Sequence, residues 1–567
     1  MKAIFTAEVN CRDCHKCVRI CPVKAIGIEN GHAQLIEESC IHCGHCVKEC
    51  PREAKQILNQ TDKFRLAKQQ GKKVALSLAP SFISAFPEYT YAQIVKMLHR
   101  AGFNYVQETA VGAEIVSYAY KKELEKANKP LISACCPVVV SLIEKYYPTL
   151  VENISPTRSP MLVHVDILRK KYGPDVFIAF AGPCIGKFYE AEEYPENIDM
   201  VMTFEQLKTM LEKVKYAVDD PDVPMEEREA YGNARFFPIR GGIIKSFMSN
   251  EETDPDIFSV SGITDCIEMF DNLLKGEINP RFIEAMACQT GCIAGPGMVK
   301  ERTKCRPVSR MNVIKFATLA PTKLDNHDKL MPLIKRSFRS KNLLRPKPTE
   351  EQILEILHKI GKNSPEDENN CGACGYNTCR EKAIATFQGL AEPDMCIPYM
   401  RSKAESFANL IVNSSMEAII VINNQLIVQE FNRIAEKFFN IKKQDILGRT
   451  LLEIIDCSDI VEAIKNNKRC ELYAKNFPQY SKSLDIRIMP IVENELAVII
   501  FKDVTDVELS KQELLNMKLN TIDRATAIIN KQMSVAQEIA GLLGETTADT
   551  KFALLELVKV LGSKGEK

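Results

Sequence analysis

Residues 284–292 read Glu-Ala-Met-Ala-Cys-Gln-Thr-Gly-Cys, and this stretch decides how the centre of the chain is interpreted. A strand-like apolar run leads into a loop that carries two thiols, Cys288 and Cys292, beside a glycine. A lone cysteine is often only a small hydrophobic residue in a protein core. Two cysteines in C-x3-C spacing fit that explanation poorly and are typical of ligands to a metal or cluster.

Two other loops place cysteine after a strand-like run in the same way. They read Ser133-Ala-Cys-Cys-Pro137 and Gly182-Pro-Cys-Ile-Gly-Lys187. Cys136, Cys184, Cys288 and Cys292 are separated by up to about 150 residues, so they can meet only in a folded site. Four thiolates are enough to hold a 4Fe-4S cluster. Cys266 and Cys305 lie outside these loops, and we expect them to be small core residues.

The segments around these loops alternate between short apolar runs and longer amphipathic stretches. Val74–Leu78 and Val176–Ala181 are strand-like, whereas Tyr91–Ala101 has the spacing of an amphipathic helix. Such alternation favours an α/β architecture for this part of the chain.

The three loops resemble the signature loops of the H-cluster domain of iron-iron (FeFe) hydrogenases, and the resemblance extends through most of residues 70–320. The segments Leu78-Ala-Pro-Ser81 and Glu108-Thr109 resemble further landmarks of that family. The resemblance implies an H-cluster, a 4Fe-4S cubane joined to a diiron unit that carries CO, cyanide and a bridging azadithiolate. It also implies H2 and protons as reactants, and maturation enzymes that insert the diiron unit.

The resemblance also assigns roles to single residues. The cubane ligands would be Cys136, Cys184, Cys288 and Cys292, with Cys292 bridging to the diiron unit. Lys187 would hydrogen-bond a cyanide, because a cation forms a strong charge-assisted bond with an anionic ligand. Cys135 would exchange protons with the bridging amine, as a general acid–base group within hydrogen-bond reach. The remaining contacts to the cofactor would come from Ala79, Pro80, Ser81, Pro183 and Met286.

The chain departs from the family pattern at three places. High-activity members carry a carboxylate about a dozen residues beyond the Glu108-Thr109 landmark, where this chain has Ala119-Tyr120. A tyrosine, with an ordinary pKa near ~10, is poorly matched to relay protons at neutral pH. Glu123 and Ser155 are the candidates for the outer part of a proton path. Gly182 stands where methionine is usual, and residues 295–297 replace consecutive glycines, so we expect an altered diiron pocket and slow turnover.

The N-terminal segment carries the pattern C-x2-C-x2-C-x3-C-P twice, which is the spacing of bacterial two-cluster ferredoxins. In such motifs the fourth cysteine ligates the other cluster. We therefore expect one 4Fe-4S cluster on Cys11, Cys14, Cys17 and Cys50, and a second on Cys40, Cys43, Cys46 and Cys21. Zinc sites are the alternative, but zinc normally takes two separated C-x2-C pairs. A ferredoxin-like protein is the expected electron partner.

A further four-cysteine group follows the central part of the chain. Cys371, Cys374, Cys379 and Cys396 resemble the small 4Fe-4S domain of corrinoid-protein and redox-pump subunits. Four thiols also suit zinc, so zinc remains open here. Thr349 and Gln352 form a capping-box pattern at the start of a preceding helix.

The C-terminal third contains no cluster motif. Residues 416–422 and 497–505 look like strands of a PAS domain, which implies a five-stranded antiparallel sheet with flanking helices for sensing or dimerisation. No histidine follows His358, so a histidine-ligated haem is excluded there. A helix then repeats apolar residues every seven positions, which favours a coiled coil and a homodimer, although burial in one bundle would give a similar stripe. These positions are Leu515, Ile522, Ile529, Ala536 and Leu543, with Leu519, Met533 and Ala540 between them.

The composition limits the class of protein to which these parts can belong. The chain has 567 residues, a formal net charge of zero and 21 cysteines, and no apolar run is long enough for a membrane span. We therefore expect a cytoplasmic protein with no nucleic-acid partner and no disulfide framework. The expected organisation is a multidomain α/β and α+β chain: a ferredoxin-like domain (1–60), an H-cluster domain (68–345), a four-cysteine domain (346–402), a PAS domain (403–505) and a helical segment (506–567).

The sequence favours a sensory-type FeFe hydrogenase that passes its signal to a separate downstream protein, because it lacks a phosphoacceptor histidine and a nucleotide-binding glycine motif. A second interpretation is a metabolic, fermentative or uptake hydrogenase coupled to ferredoxin. A third is an iron–sulfur scaffold or electron-transfer protein without a diiron unit.

Overall fold

The computed structural model describes residues 3–29, 32–212, 214, 232–248, 254–302, 306–319, 327–343, 345–455, 458–466, 468–491, 495–542 and 548–562. Cys305 and Leu543 lie outside these ranges. The chain divides into two compact units, Met1–Met400 and Arg401–Lys567, and each unit is described by itself.

The N-terminal part of the first unit is small and built from two similar halves. In each half a five-residue helix carries the third cysteine of the motif, Cys17 in one half and Cys46 in the other. The elements are β1 (Ile4–Thr6), α1 (Lys16–Ile20), β2 (Ile26–Glu29), β3 (His32–Leu35), α2 (His45–Glu49) and β4 (Lys55–Ile57). Strand β1 pairs antiparallel with β4, and β2 pairs antiparallel with β3. The fold is the two-cluster ferredoxin-like arrangement that the cysteine spacing predicts.

The central part alternates strands and helices, as the sequence predicts. Its strands are β5 (Val74–Leu78), β6 (Tyr105–Glu108), β7 (Leu131–Ile132), β8 (Phe177–Gly182), β9 (Met200–Thr203), β10 (Ile257–Ser261) and β11 (Phe282–Met286). Its helices are α3 (Thr61–Gln69), α4 (Phe82–Ala85), α5 (Tyr91–Arg100), α6 (Ala110–Leu124), α7 (Pro137–Tyr146), α8 (Pro160–Tyr172), α9 (Gly186–Glu193), α10 (Phe204–Leu211), α11 (Gly242–Phe247), α12 (Ile263–Lys275) and α13 (Arg306–Ala317).

The central strands form two parallel sheets. One has the order β6-β5-β8-β9 and the other the order β10-β11-β7. Every residue of β5, β8 and β11 is buried, which is typical of parallel strands that are covered on both faces. The three cysteine-bearing loops follow β7, β8 and β11. They therefore leave the sheets at the carboxyl ends of parallel strands, where α/β proteins bind their ligands.

The four-cysteine module completes the first unit. It contains α14 (Glu350–Lys359) and α15 (Cys379–Phe387), and α16 (Ile397–Ser414) follows. Helix α14 begins with the predicted capping box, in which Thr349 and Gln352 each accept a backbone N–H of the other. One apolar cluster contains Val18, Val74 and Leu390, so the ferredoxin part, the central sheet and this module share a core.

The second unit contains the antiparallel five-stranded sheet that the PAS interpretation implies, in the order β13-β12-β16-β15-β14. Its elements are β12 (Ala418–Asn423), β13 (Val428–Phe431), α17 (Arg433–Phe439), α18 (Lys443–Ile446), α19 (Ser458–Lys465), β14 (Cys470–Phe477), β15 (Lys482–Ile491) and β16 (Leu496–Asp503). Buried and partly exposed residues alternate along β12 and β16, so one face of the sheet covers the core of this unit.

Two helices follow the sheet, α20 (Thr505–Leu542) and α21 (Ala548–Gly562). Within the described ranges of the chain, no helix has both the length and the apolar content that crossing a bilayer requires.

Candidate active site

The three cysteine-bearing loops of the first unit line one cavity. Its lining includes every residue that the sequence assigned to cofactor contact or to proton exchange at the diiron unit, and three of the four assigned cubane ligands. These residues are Ala79, Pro80, Ser81, Cys135, Cys136, Pro183, Cys184, Lys187, Met286 and Cys292. Cys288 lies beside them: burial raises the pKa of its thiol, and the neighbouring sulfurs of Cys184, Cys292 and Cys136 raise it further. The structure thus brings the four distant thiols together.

Backbone geometry explains how the loops reach this point. Pro137 occupies the first turn of α7, where its fixed φ suits a helix start, and so directs Cys136 to the end of the preceding loop. Gly291, between the two thiols of the third loop, has a φ of +99°. A Cβ there would lie 2.4 Å from the Pro238 carbonyl oxygen, so this position requires glycine.

The residues around the cavity fit an iron–sulfur group with an anionic neighbour. Burial raises the pKa of Cys184 to about 12, with the charge of Cys136 adding to the shift. Four thiols so close together can ionise jointly only when a cationic core binds them. The Ser81 hydroxyl is buried in the cavity wall and has no hydrogen-bond partner among the residues that the structure describes. An unpaired buried hydroxyl is costly, so a ligand that accepts its hydrogen bond is expected in the cavity.

Lys187 brings a positive charge to the same wall. Its ammonium group donates to Glu190 Oε2 at 2.6 Å and lies 3.5 Å from the Cys135 carbonyl oxygen. Glu190 is fully enclosed and also accepts from Arg336 at 2.9 Å and from Ser159 at 2.9 Å. Burial alone would raise the pKa of Glu190, but the charges of Lys187 and Arg336 hold it below its usual range. Glu190 therefore fixes the position of Lys187. Glu190 was not predicted from the sequence, although it lies three residues after Lys187 and two residues at that spacing share one face of a helix.

Comparison with known protein families agrees with this geometry. Residues 72–296 match the family described as the iron only hydrogenase large subunit, C-terminal domain. These residues are similar to an iron-only hydrogenase domain, and we refer to this part of the chain as the hydrogenase domain. Residues 10–54 match the 4Fe-4S dicluster family, and residues 368–398 match a family of Fe-S cluster domains.

The hydrogenase domain has curated relatives at low sequence identity. Iron hydrogenase 1 of Clostridium pasteurianum is 26% identical over 357 residues, which cover 51% of this chain and 60% of that protein. The chain therefore spans less than two thirds of that relative's length. The periplasmic Fe hydrogenase large subunit of Nitratidesulfovibrio vulgaris is 27% identical over 360 residues, which cover 51% of this chain and 85% of that protein.

Solved PAS domains are among the structures similar to this chain. The PAS domain of the histidine kinase ThkA is 26% identical and has a TM-score of 0.14, and the match covers 16% of this chain and 100% of that domain.

Tyr120 occupies the position of the missing carboxylate and contacts the predicted proton-exchange thiol directly. Its hydroxyl oxygen accepts a hydrogen bond from the Ala134 N–H at 2.9 Å and lies 3.1 Å from Cys135 Sγ. The phenol is buried against Phe247 and Phe282. Burial raises the pKa of Tyr120 well above its usual value and raises that of Cys135 to about 12. The departure was visible in the sequence, but the contact with Cys135 was not.

A row of hydroxyl groups continues from Tyr120 to the predicted outer residues of the hydrogenase domain. The Thr157 hydroxyl lies close to the Tyr120 phenol and 3.1 Å from the Ser155 hydroxyl. Ser155 in turn donates to the Glu123 carboxylate. Burial raises the pKa of Glu123, while the bond from Ser155 opposes the shift. Glu123 and Ser155 are therefore brought together, and Thr157 is the member that sequence reasoning missed.

The glycine at position 182 does not leave a hole in the cavity wall. A Cβ at this position would lie 2.7 Å from the Phe180 ring and 3.2 Å from Ala79 Cβ. Phe180 itself lines the cavity, so an aromatic ring occupies the space that a side chain at Gly182 would need. At this point the wall of the cavity is therefore formed by the Phe180 ring.

The ferredoxin part contacts the hydrogenase domain beside the four thiols. Gly44 packs against Ile185 and Pro296, which flank Cys184 and Cys292 in the chain. The charge of Cys43 also raises the pKa of Cys288, after burial and the three nearer sulfurs. One ferredoxin loop thus lies next to the predicted cubane ligands.

Most of the ferredoxin cysteines lie in two groups whose sulfurs act on one another, and the place of Cys50 in the first predicted cluster stays a prediction. Burial raises the pKa of Cys43, and the next charges acting on it are those of Cys21, Cys46 and Cys40. Burial likewise raises the pKa of Cys17, and Cys11 and Cys14 add to the shift. Cys50 is half-buried, and its sulfur accepts the Ala54 N–H at 3.2 Å.

The four-cysteine module forms a separate site. Cys371, Cys374, Cys379 and Cys396 line one small cavity. Lys362 and Lys382 line it too.

Proposed function

We propose that this chain interconverts H2 with protons and electrons, slowly, and uses the reaction to sense hydrogen or redox state. The observation that carries the proposal is the single cavity in which Cys135, Cys136, Cys184, Lys187 and Cys292 meet, with Cys288 beside them. This is the residue set that the FeFe-hydrogenase resemblance assigns to an H-cluster.

The four thiols at positions 136, 184, 288 and 292 would hold the cubane part of the H-cluster, with Cys292 shared with the diiron unit. When bound, the group supplies the site at which hydrogen is cleaved or formed. Lys187, fixed by Glu190, presents a cation to the cavity for an anionic ligand, and the unpaired Ser81 hydroxyl offers a second donor. The CO, cyanide and azadithiolate ligands come from the resemblance, and their insertion requires maturation enzymes.

Cys135 is the residue that would move a proton into or out of the cavity. Tyr120, Thr157 and Ser155 form a row of hydroxyl groups between it and Glu123, so a route outward is available without the usual carboxylate. Both inner members have high pKa values, because burial raises that of Cys135 to about 12 and raises that of Tyr120 well above its usual value. General acid–base transfer is efficient when the pKa lies near the ambient pH, so this route favours slow turnover.

Electrons would leave through the ferredoxin part. The contact of Gly44 with Ile185 and Pro296 places the loop of Cys43 next to the cubane ligands. Two 4Fe-4S clusters in this part would pass electrons on, and a ferredoxin-like protein is the expected external partner.

The PAS unit and the C-terminal helices favour a signalling role over a purely metabolic one. A PAS domain followed by a long helix is suited to transmitting a conformational signal. The signal would pass to a separate protein, through a homodimer formed by α20. We place the whole system in the cytoplasm.

The direct test of the catalytic proposal is Cys135→Ala in anaerobically matured protein. We expect H2 turnover to fall by about 100-fold or more, because a positioned acid–base group contributes that much. Iron content and the spectra of the clusters should stay unchanged. Cys470→Ala, a cysteine of the second unit, is the matched control. A Cys135→Ala rate within twofold of the unsubstituted protein would remove this thiol from the mechanism.

A further inference from the structure

The four-cysteine module contains a fully buried lysine, which is rare in proteins. Lys382 lies on α15, one turn after Cys379, and its side chain is 1% exposed. Its ammonium group donates to the Pro393 carbonyl oxygen at 3.3 Å. No ion pair joins it to a carboxylate among the residues that the structure describes, although the charge of Asp394 acts on it. A buried ammonium is very costly unless anionic groups surround it, so Lys382 needs further negative charge in the folded protein.

The strongest negative charges acting on Lys382 are those of the module's own sulfurs. Burial lowers the pKa of this ammonium group, and the sulfurs of Cys396, Cys374 and Cys379, followed by the carboxylate of Asp394, oppose the shift. Lys382 lines the same small cavity as these cysteines. A cluster held by four thiolates carries a net negative charge, and this charge supplies the partner that the lysine needs.

Such a cation has a direct effect on redox chemistry. One-electron reduction adds a negative charge to the cluster, and a neighbouring positive charge stabilises the reduced form more than the oxidised form. Burial strengthens the effect, because little water is present to screen it. Lys382 is therefore placed to raise the reduction potential of the cluster.

The module also lies directly against the ferredoxin part. The Arg19 guanidinium donates to the Ala373 carbonyl oxygen at 3.2 Å and to the Cys14 carbonyl oxygen at 3.0 Å. A Cβ at Gly375, which has a φ of +95°, would lie 3.1 Å from Arg19 N, so the two backbones are in close contact. This contact joins a loop of the module's ligands to a loop of the ferredoxin ligands.

Tyr376 lies close to both sets of cysteines. It lines the cavity of the module. Burial raises the pKa of its phenol to about 12, and the charges acting on it include those of Cys374, in the module, and Cys21, in the ferredoxin motif. The two predicted cluster sites therefore share a neighbouring side chain.

We propose that the cluster of the four-cysteine module accepts electrons from the ferredoxin part across this contact, and that Lys382 sets its reduction potential. One electron leaves a reduced ferredoxin cluster, which becomes oxidised, and the module's cluster is reduced by that electron. No bond forms or breaks and no proton is transferred. The inference rests on the proposed function only for the natural source of electrons, because a chemical reductant can supply them in a test.

The ferredoxin part has a buried lysine of its own, Lys55, whose ammonium group donates to Thr6 and to the Ala33 carbonyl oxygen. The proposal therefore concerns the shift that Lys382 causes at the module's own cluster. That shift can be measured separately.

The first experiment is a redox titration followed by electron paramagnetic resonance. It uses the full chain with its 4Fe-4S clusters, without the diiron unit and with dithionite as reductant. The module's signal is identified as the part that disappears in the double variant Cys371→Ser/Cys374→Ser. We expect Lys382→Met to lower the midpoint potential of this signal by about 59 mV or more, a tenfold change in the one-electron equilibrium. Lys382→Arg should keep most of the potential.

Lys347→Met is the matched control, because it makes the same chemical change at an exposed lysine of the same module. It should leave the midpoint unchanged. A Lys382→Met midpoint equal to that of the unsubstituted protein would overturn the role of the lysine. If Lys382→Met fails to retain its iron, Lys382→Gln is titrated in its place and judged by the same shift. Zinc in place of iron at the four cysteines of the unsubstituted protein would overturn the whole inference.

The second experiment tests the contact. In the fully reduced protein the module's cluster and the ferredoxin clusters should show magnetic coupling, seen as broadened signals that relax faster than in Cys371→Ser/Cys374→Ser. Sharp, independent signals would show that the two sites do not exchange electrons across this contact. Both experiments work without the diiron unit, so a failure of the proposed hydrogenase activity would leave their outcome unaffected.

Discussion

Among the buried polar residues of the first unit, His164 shows how the packing of the hydrogenase domain determines a charge state. Its side chain is fully buried on α8. Nε2 lies 2.9 Å from the Gln107 amide oxygen, which can only accept, so Nε2 carries the proton. Nδ1 then accepts from the Ser77 hydroxyl at 2.8 Å. The neutral ring satisfies both neighbours, and burial lowers the pKa of His164 to about 3.

This pKa has a consequence for stability. The unfolded chain binds a proton at the ordinary pKa of histidine, near ~6.5, whereas the folded protein resists binding it until about pH 3. Stability from this group is therefore complete above pH 6.5 and is lost as the pH falls. Between pH 6.5 and pH 5 we expect a loss of about 2 kcal/mol from His164 alone.

Urea unfolding of the unsubstituted protein and of His164→Asn at the two pH values measures this loss. The substitution should reduce the dependence on pH by that amount, whatever it does to stability at pH 6.5. His358→Asn, at an exposed histidine, controls for the simple removal of a histidine. Equal pH dependence in the unsubstituted protein and His164→Asn would show that His164 is not held neutral.

Single residues also show where sequence reasoning reaches its limit. Tyr120 was identified as a departure, but its contact with Cys135 depends on how α6 packs beside the loop after β7, which no local pattern encodes. Phe180 lies in an ordinary apolar strand, and only the structure shows its ring beside Gly182. Lys382 looks like a surface residue of a helix in the sequence. Its burial is explained by the four cysteines nearby, because a cluster held by their thiolates would carry a negative charge.

The elements themselves follow more directly from the sequence. The capping box at Thr349, the helix Tyr91–Arg100 and the strand Val74–Leu78 depend on neighbouring residues, and the structure confirms them. The ferredoxin motifs are also local, because all their ligands lie within short loops. The meeting of Cys136 with Cys292 is different, since it requires two sheets to be assembled. It was anticipated only through the family resemblance.

Helix α20 carries a prediction of its own. It spans 38 residues, and many of its apolar side chains are exposed, including Leu515 at 57% and Leu519 at 52%. Apolar residues at seven-residue spacing on an exposed helix are typical of a coiled-coil seam. We expect the full chain to be a dimer, and Ile522→Glu/Ile529→Glu to convert it to monomers in sedimentation experiments.

The control for α20 is Asn520→Glu/Ala527→Glu, which adds the same charges on the opposite side of the helix. It should leave the dimer intact. The account of α20 would be wrong if the unsubstituted chain were monomeric, or if charges on the seam left the mass unchanged.

At the scale of the whole molecule, the proposed function requires that a reaction in the first unit change the conformation of the second unit. Reduction of the clusters by H2 would have to bias the PAS unit and its helices between two conformations. We expect H2 to change the rate or sites of limited proteolysis within residues 403–567 of matured protein. Cys135→Ala should abolish this effect at short exposure to H2 but leave the response to dithionite. An identical digestion pattern with and without H2 would favour a metabolic hydrogenase in which the PAS unit serves only association.

Infrared spectroscopy of matured protein is the most direct test of whether four distant thiols hold a cluster beside a diiron unit in one cavity. We expect absorption bands of CO and cyanide that are absent without the maturation enzymes and that shift when H2 is added. Lys187→Met should move the cyanide bands, because it removes the cation facing that ligand. A protein that retains its 4Fe-4S clusters after maturation but shows no CO or cyanide band would contradict this prediction and leave an iron–sulfur scaffold.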